Sequence, residues 1–142
     1  MKKIIFVCTG NTCRSPMAMA VFNNAAKEKG LNWVADSAGL AAAYDPINPK
    51  SVEVLAKIGI SFNNYTSKRL NYQMADEANI IAVMTNEHLA ALVSAGIPQE
   101  KIIVLGGGIA DPYGRDLDTY YNCLLNIKSA IDALIEGDVL NG

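Results

Sequence analysis

Short apolar runs alternate with amphipathic segments along the whole 142-residue chain, and this alternation restricts the fold more than any other feature. The runs are short, contain β-branched and aromatic residues and stop at polar turns, which is typical of buried strands. Four strands are predicted, at Lys3–Val7, Asn32–Ala38, Asn79–Thr85 and Lys101–Leu105. Because the runs are mostly apolar on both faces, they predict a parallel sheet that is covered on both faces.

The segments between these runs have the spacing of helices, and the first three are followed by a glycine, which commonly ends a helix. The predicted helices are Ser15–Lys29, Ser51–Ile58, Glu87–Ala95 and Leu117–Glu136. Right-handed crossovers between parallel strands then give a doubly wound α/β sandwich of three layers, with a four-stranded parallel sheet and helices on both faces. The length fits a single domain over residues 1–142. Ligands of such folds bind beyond the carboxyl ends of the strands.

Composition excludes several functional classes. With 51% hydrophobic and 18% charged residues the chain is not of the disordered type. A net charge of −2 offers no basic surface for nucleic acid, and no apolar run has the ~18–20 residues of a membrane span. No secretory signal is recognisable at the start, so a cytoplasmic protein without nucleic-acid or membrane partners is expected. Three cysteines, an odd number, argue against a disulfide framework.

The loop after the first strand carries the most chemical information. It reads Cys-Thr-Gly-Asn-Thr-Cys-Arg-Ser over residues 8–15 and leads into a helix that has Pro16 near its start. Backbone N–H groups of a tight loop and of a helix N-terminus bind anions, and Gly10 permits a conformation that other residues resist. Arg14 can hold two phosphoryl oxygens. Cys8 lies beneath this positive site, which is expected to lower its pKa.

Each of these residues also has a plainer explanation. A cysteine at a strand end is often a small buried apolar residue, and an arginine at a helix start is usually a solvated charge. Asp111, in the Asp-Pro-Tyr-Gly sequence of residues 111–114, would by itself indicate a turn. Beside the Cys8–Arg14 loop, however, it becomes the best candidate for the acid that a departing group requires.

At this point the chain resembles the low-molecular-weight protein tyrosine phosphatases over nearly its whole length. The resemblance rests on residues 7–16, on the Asp-Ser-Ala-Gly of residues 36–39, on Met84-Thr85 and on residues 111–114. It implies that Cys8 is the nucleophile, that Arg14 clamps the phosphoryl group and that Asp111 is general acid and then general base. The intermediate is a phosphocysteine, and neither metal nor cofactor is implied.

The resemblance also implies supporting roles. The loop residues Thr9, Gly10, Asn11, Thr12, Cys13, Arg14 and Ser15 would bind phosphate. Asn11, Ser15 and Ser37 would hold the loop in shape, and Ser15 would stabilise the thiolate. Cys13 matches a second loop cysteine that could capture an oxidised Cys8 as a disulfide; simple packing is the alternative. Cys123, on the last predicted helix, is assigned to the core.

The substrate stays open between two phosphorylated side chains of a protein. Phosphotyrosine-directed members of the family usually carry isoleucine at the position of Thr12, whereas a branch with threonine acts on protein phosphoarginine. The hydroxyl of Thr12 could accept from a guanidinium N–H, or Thr12 could be a spacer without effect on specificity. Tyr113 and Tyr44 are the candidate walls of the substrate slot. A monomer is expected.

Two other functional classes remain possible. A thiol-dependent arsenate reductase uses the same fold and loop but needs further cysteines to pass on a disulfide, and Cys123 is the only one outside the loop. A phosphate-binding module without catalysis would tolerate loss of Cys8 or Asp111, and both residues are present.

Overall fold

The computed structural model describes residues 1–141 and contains four strands and five α-helices within them. The strands are β1 (Lys2–Cys8), β2 (Trp33–Gly39), β3 (Ile80–Val83) and β4 (Ile102–Val104). The helices are α1 (Arg14–Lys29), α2 (Pro49–Lys57), α3 (Tyr72–Glu77), α4 (Asn86–Ser94) and α5 (Leu117–Glu136). One-turn 3-10 helices lie at 99–101, 105–107 and 139–141.

The strands form one parallel sheet in the order β2-β1-β3-β4, which places β1 in the interior. The predicted α/β sandwich with a four-stranded parallel sheet is therefore confirmed. In register, Cys8 at the end of β1 lies beside Gly39 at the end of β2. The loops that follow β1 and β2 thus begin at the same edge of the sheet.

Helices cover both faces of the sheet. Alternate residues of β1 serve the two cores: Ile4 and Phe6 pack in the larger one, and Ile5 and Val7 in the smaller one. The larger core includes residues of α1, α2 and α5, and the smaller one includes residues of α3 and α4. Within the described residues no helix is long and apolar enough to cross a membrane.

Three elements differ from the sequence-based prediction by more than one residue at an end. Helix α2 begins at Pro49, two residues early, because the Asn48 side chain accepts from the Lys50 N–H and caps the helix. Strand β3 is shorter than predicted because Thr85 caps α4 and accepts from the His88 N–H. Helix α3 was not predicted at all; it has only six residues, too few to show a helical period.

Gly39 lets β2 approach the loop that follows β1. A Cβ atom at this position would lie 2.6 Å from the Thr9 carbonyl oxygen and 2.9 Å from Asn11 Cβ. The first of these neighbours is backbone and cannot move away without shifting the loop. Gly39 therefore sets how closely the second strand supports the loop.

We expect Gly39→Ala to lower the free energy of unfolding by about 1–3 kcal/mol, as overpacking against fixed neighbours does. Urea denaturation measures this change. Gly10→Ala is the matched control, because its Cβ would meet only Thr12 Oγ1, at 3.9 Å. For the control we expect a change within about 0.5 kcal/mol. Equal stability of Gly39→Ala and the unsubstituted chain would contradict the assigned role of Gly39.

Candidate active site

The Cys8–Arg14 loop joins the end of β1 to the start of α1. Both of its outer residues are buried, with 2% of Cys8 and 5% of Arg14 exposed. The backbone N–H groups of Gly10, Thr12 and Cys13 have no hydrogen-bond acceptor among the described residues. Free N–H groups in a tight loop at the N-terminus of a 16-residue helix form a site for an oxyanion.

Asn11 holds the shape of this loop. It is fully buried and has a left-handed backbone with φ 59°, a conformation that asparagine tolerates better than most residues. Gly10, expected from sequence to supply the unusual conformation, has no positive φ, so that expectation was wrong by one position. Asn11 Oδ1 accepts from the Lys68 N–H at 3.0 Å, and a backbone N–H can only donate. This contact fixes which end of the Asn11 amide is oxygen.

The orientation of Asn11 determines which way the next hydrogen bonds run. Its Nδ2 donates to Ser15 Oγ at 2.7 Å, so the hydroxyl proton of Ser15 is free for its other neighbour. That neighbour is Cys8 Sγ, at 2.8 Å. The Asn11 N–H also points at Cys8 Sγ, at 3.2 Å. When Cys8 is ionised its sulfur can only accept, and it then accepts hydrogen bonds from both the Ser15 hydroxyl and the Asn11 N–H.

Tyr65 closes a hydrogen-bonded ring with Asn11 and Ser37. The Tyr65 hydroxyl donates to Asn11 Oδ1 at 2.5 Å, and Asn11 Nδ2 donates to Ser37 Oγ at 3.1 Å. Ser37 Oγ lies 2.6 Å from Tyr65 Oη and is left to donate to it. Burial raises the pKa of Tyr65, so this hydroxyl keeps the proton that it donates. In such a ring each hydrogen bond polarises the next.

Burial raises the pKa of the Cys8 thiol, and this is the largest influence on it. The hydrogen bonds from Ser15, the charge of Arg14 and the Asn11 N–H lower it. The net direction is upward, so the sequence-based expectation of a lowered pKa is wrong. Desolvation of a nearly enclosed sulfur outweighs the positive groups around it. The donors at the sulfur reduce the cost of forming the thiolate.

Arg14 is held by the loop that leads from β4 towards α5. Its Nη1 donates to the Ile109 carbonyl at 2.9 Å, and its Nη2 lies 3.6 Å from Asp111 Oδ2. The Asp111 side chain is about half exposed, and its Oδ1 accepts from the Tyr113 N–H. A buried cation and a carboxylate that faces solvent thus meet at the same loop.

These groups open into one cleft of about 280 Å³. Every residue of the loop from Cys8 to Arg14 lines it, together with Asp111 and Tyr113. Tyr44, predicted as a slot wall, does not line the cleft: its backbone is left-handed, with φ 61°, and 69% of the residue is exposed. Its neighbours Ala43 and Asp45 line the cleft instead.

Cys13 and Cys123 both belong to the larger core, and Cys13 also lines the cleft. Cys13 Sγ is 3.3 Å from the hydroxyl of Tyr120, a fully buried residue of α5. Burial raises the pKa of Cys123 to about 12, and its thiol donates to the Ala110 carbonyl at 3.7 Å. All three cysteines are free thiols. Cys123 is therefore a packing residue, as its sequence position indicated.

Three residues of the site were not identified from sequence. Tyr65 and His88 contact the loop, and Asp45 lines the cleft. None belongs to a motif, and Tyr65 and His88 are 54 and 79 positions from their loop partners. The described residues contain no group of three or more His, Cys, Asp or Glu side chains arranged to hold a metal ion.

Comparison with known proteins agrees with this geometry. A family model described as low molecular weight phosphotyrosine protein phosphatase matches residues 3–140. The chain is 37% identical to the protein-arginine-phosphatase of Bacillus subtilis (strain 168) over 126 residues, 82% of this chain and 83% of that protein. It is 38% identical to a low molecular weight protein-tyrosine-phosphatase of the same organism over 98 residues, 66% of this chain and 63% of that protein.

Among solved structures, the low molecular weight protein tyrosine phosphatase from T. tengcongensis superposes with a TM-score of 0.92 at 36% identity. The match covers 96% of this chain and 99% of that one. The fold, the cleft beyond the carboxyl ends of the strands and these matches lead to one conclusion. The chain belongs to the low-molecular-weight phosphotyrosine protein phosphatase family, and its relatives that are named phosphatases are hydrolases.

Proposed function

We propose that this chain hydrolyses phosphotyrosine in proteins through a phosphocysteine intermediate. The observation that carries the proposal is the pair of hydrogen-bond donors beside Cys8. The Ser15 hydroxyl and the Asn11 N–H both lie within hydrogen-bond distance of Cys8 Sγ and stabilise its ionised form, at the floor of a cleft that also holds Arg14 and Asp111. A sulfur in that position is prepared to attack a phosphorus atom bound above it.

In the first step the thiolate form of Cys8 attacks phosphorus through Sγ, and the bond from phosphorus to the tyrosine oxygen breaks. Asp111 takes part in this step in its protonated form and gives the proton to the departing oxygen. Arg14 and the free loop N–H groups hold the non-bridging oxygens, whose charge is redistributed in the transition state. The Ile109 carbonyl fixes one end of the guanidinium, so the remaining N–H groups keep their direction during the reaction.

In the second step Asp111, now a carboxylate, takes a proton from water. The water oxygen attacks phosphorus, the S–P bond breaks, and inorganic phosphate leaves while Cys8 returns to the thiolate. The exposure of the Asp111 side chain is consistent with this step, because water reaches the carboxylate directly. Neither step requires a metal ion.

Phosphoarginine in proteins is the second candidate substrate. Thr12 lines the cleft and can accept a hydrogen bond from a guanidinium N–H, and the protein-arginine-phosphatase relative supports this reading. Arsenate reduction has less support, because Cys123 is buried and has a raised pKa, and such a thiol is poorly suited to passing on a disulfide.

We further propose that residues 1–142 are one catalytic domain, active as a monomer in the cytoplasm, where thiols stay reduced.

Cys8→Ser should abolish turnover while leaving phosphate binding by the loop intact, because it removes the nucleophile and keeps every N–H donor. Cys123→Ser is the matched control: it changes a buried cysteine outside the cleft and should keep turnover within about tenfold of the unsubstituted rate, since its cost is one of packing. Steady-state hydrolysis of a phosphotyrosine peptide measures both. Turnover by Cys8→Ser at the unsubstituted rate would refute the mechanism.

Ser15→Ala should raise the pH at which Cys8 is half alkylated by iodoacetamide. The substitution removes a donor that favours the thiolate, and loss of a hydrogen bond to a charged group corresponds to about one to two pH units. Mass spectrometry of the Cys8 peptide across a pH series gives the midpoint, and Cys123 in the same sample reports whether the fold has opened. A midpoint that stays in place would mean that Ser15 does not donate to the sulfur.

Thr12→Ile separates the two candidate substrates. If Thr12 accepts from a guanidinium, kcat/KM for a phosphoarginine peptide should fall about 10–100-fold, the cost of an unpaired polar contact, while the value for the matched phosphotyrosine peptide stays the same or rises. If Thr12 is a spacer, both values change together. A phosphotyrosine preference in the unsubstituted enzyme that does not depend on Thr12 would dismiss the phosphoarginine reading.

A further inference from the structure

Thr9 follows the proposed nucleophile and makes a hydrogen bond to a residue of α4 that is 79 positions further along the chain. Its Oγ1 lies 2.9 Å from Nε2 of His88, near the start of α4. Its carbonyl accepts from the Ala41 N–H at 2.9 Å, which fixes the backbone of Thr9. No catalytic step described above uses either the Thr9 hydroxyl or His88.

The protonation state of His88 decides which way this hydrogen bond runs. Only 7% of His88 is exposed, and its Nδ1 has no hydrogen-bond partner in the part of the chain that the structure describes. A buried N–H without an acceptor is rarer and more costly than a buried lone pair without a donor. The proton of neutral His88 therefore belongs on Nε2, and Nε2 donates to Thr9 Oγ1.

The ring stays neutral near pH 7. Burial lowers the pKa of His88, and the charge of Arg14 lowers it further, against smaller opposing effects of Glu87 and Asp111. Because Thr9 Oγ1 accepts from His88, its own proton is free to point elsewhere. Within the described residues Thr9 Oγ1 has no other hydrogen-bond partner, and Thr9 is an exposed residue that lines the cleft.

We propose that the Thr9 hydroxyl donates a hydrogen bond to an oxygen of the phosphate group bound in the cleft, and that His88 is the positioning residue that turns the hydroxyl toward it. The inference rests on the proposed function, since it needs a phosphate in the loop. Thr9 thereby adds a side-chain donor to the backbone donors and Arg14. His88 acts only through Thr9 and does not touch the substrate.

Calorimetric titration of inorganic phosphate into the Cys8→Ser protein tests the contact without turnover. In this background Thr9→Val, which keeps the shape and removes the hydroxyl, should weaken phosphate binding about tenfold, as loss of a hydrogen bond to an anion does. Thr9→Ser keeps the hydroxyl, so its affinity for phosphate should stay within about threefold of the parent, a smaller change than the loss expected for Thr9→Val. Phosphate binding unchanged in Thr9→Val would overturn the proposal.

A double-mutant cycle tests the role of His88. His88→Leu should weaken phosphate binding severalfold when Thr9 is present and should have no effect in the Thr9→Val background, because its partner is then gone. His88→Gln, whose amide can supply a donor in place of Nε2, should restore binding. A structural role for His88 predicts equal losses in both backgrounds, and that result would remove His88 from the proposal.

Failure of the proposed function would look different. A Cys8→Ser protein that binds no inorganic phosphate at all would contradict the oxyanion site itself, and the Thr9 contact would fall with it. Binding by the parent together with identical affinity in Thr9→Val would contradict the Thr9 contact alone. Thermal denaturation of every variant shows whether the fold is intact, so a loss of binding is compared only among folded proteins.

Discussion

The side chain of Asn11 is the interaction on which the rest of the site depends. Its amide is buried and has four polar partners in three separate parts of the chain, near residues 15, 37 and 65–68. One backbone N–H, that of Lys68, fixes the amide orientation, so Asn11 Nδ2 must donate to both Ser15 and Ser37. The contact that orients the support of Ser15 is therefore 57 residues away from Asn11. A polar network with every member paired specifies one geometry, whereas a partly paired one would be costly in a dry interior.

Burial of the site has two opposing effects on the ionisation of Cys8. Cys8 and Arg14 are both buried, so the sulfur pays for desolvation while the cation and the hydrogen-bond donors favour its ionised form. Arg14 is itself compensated by the Ile109 carbonyl and by Asp111, so it is a paired rather than an isolated buried charge. Enclosure has a use, because electrostatic contacts are stronger where water is excluded. A phosphate in the cleft meets donors that are already oriented.

Features that depend on neighbours in sequence were predictable, and features that depend on distant residues were not. The β1–loop–α1 unit and the last helix carry their signals in consecutive residues, so their positions and the fold class followed from pattern alone. Tyr65 and His88 reach the loop only through the tertiary fold. The sequence places the positive-φ backbone at Gly10, because glycine adopts it most easily. The structure has it at Asn11, whose buried amide makes enough hydrogen bonds to hold that conformation. The raised pKa of Cys8 required knowledge of burial, which a loop motif does not contain.

The close approach of β2 to the loop at Gly39 means that the oxyanion site exists only in the folded chain. The loop is shaped by β2, by the segment around Tyr65 and by α4, so an unfolded chain has no cradle of this form. Inorganic phosphate, the product, would then bind the native state alone and act as a stabiliser by mass action, worth about 2.7 kcal/mol at a hundredfold excess over its dissociation constant. The midpoint temperature of thermal unfolding thus depends on the phosphate concentration of the buffer as well as on the chain. A destabilised variant that is purified and measured in phosphate would show a higher midpoint than it has without phosphate.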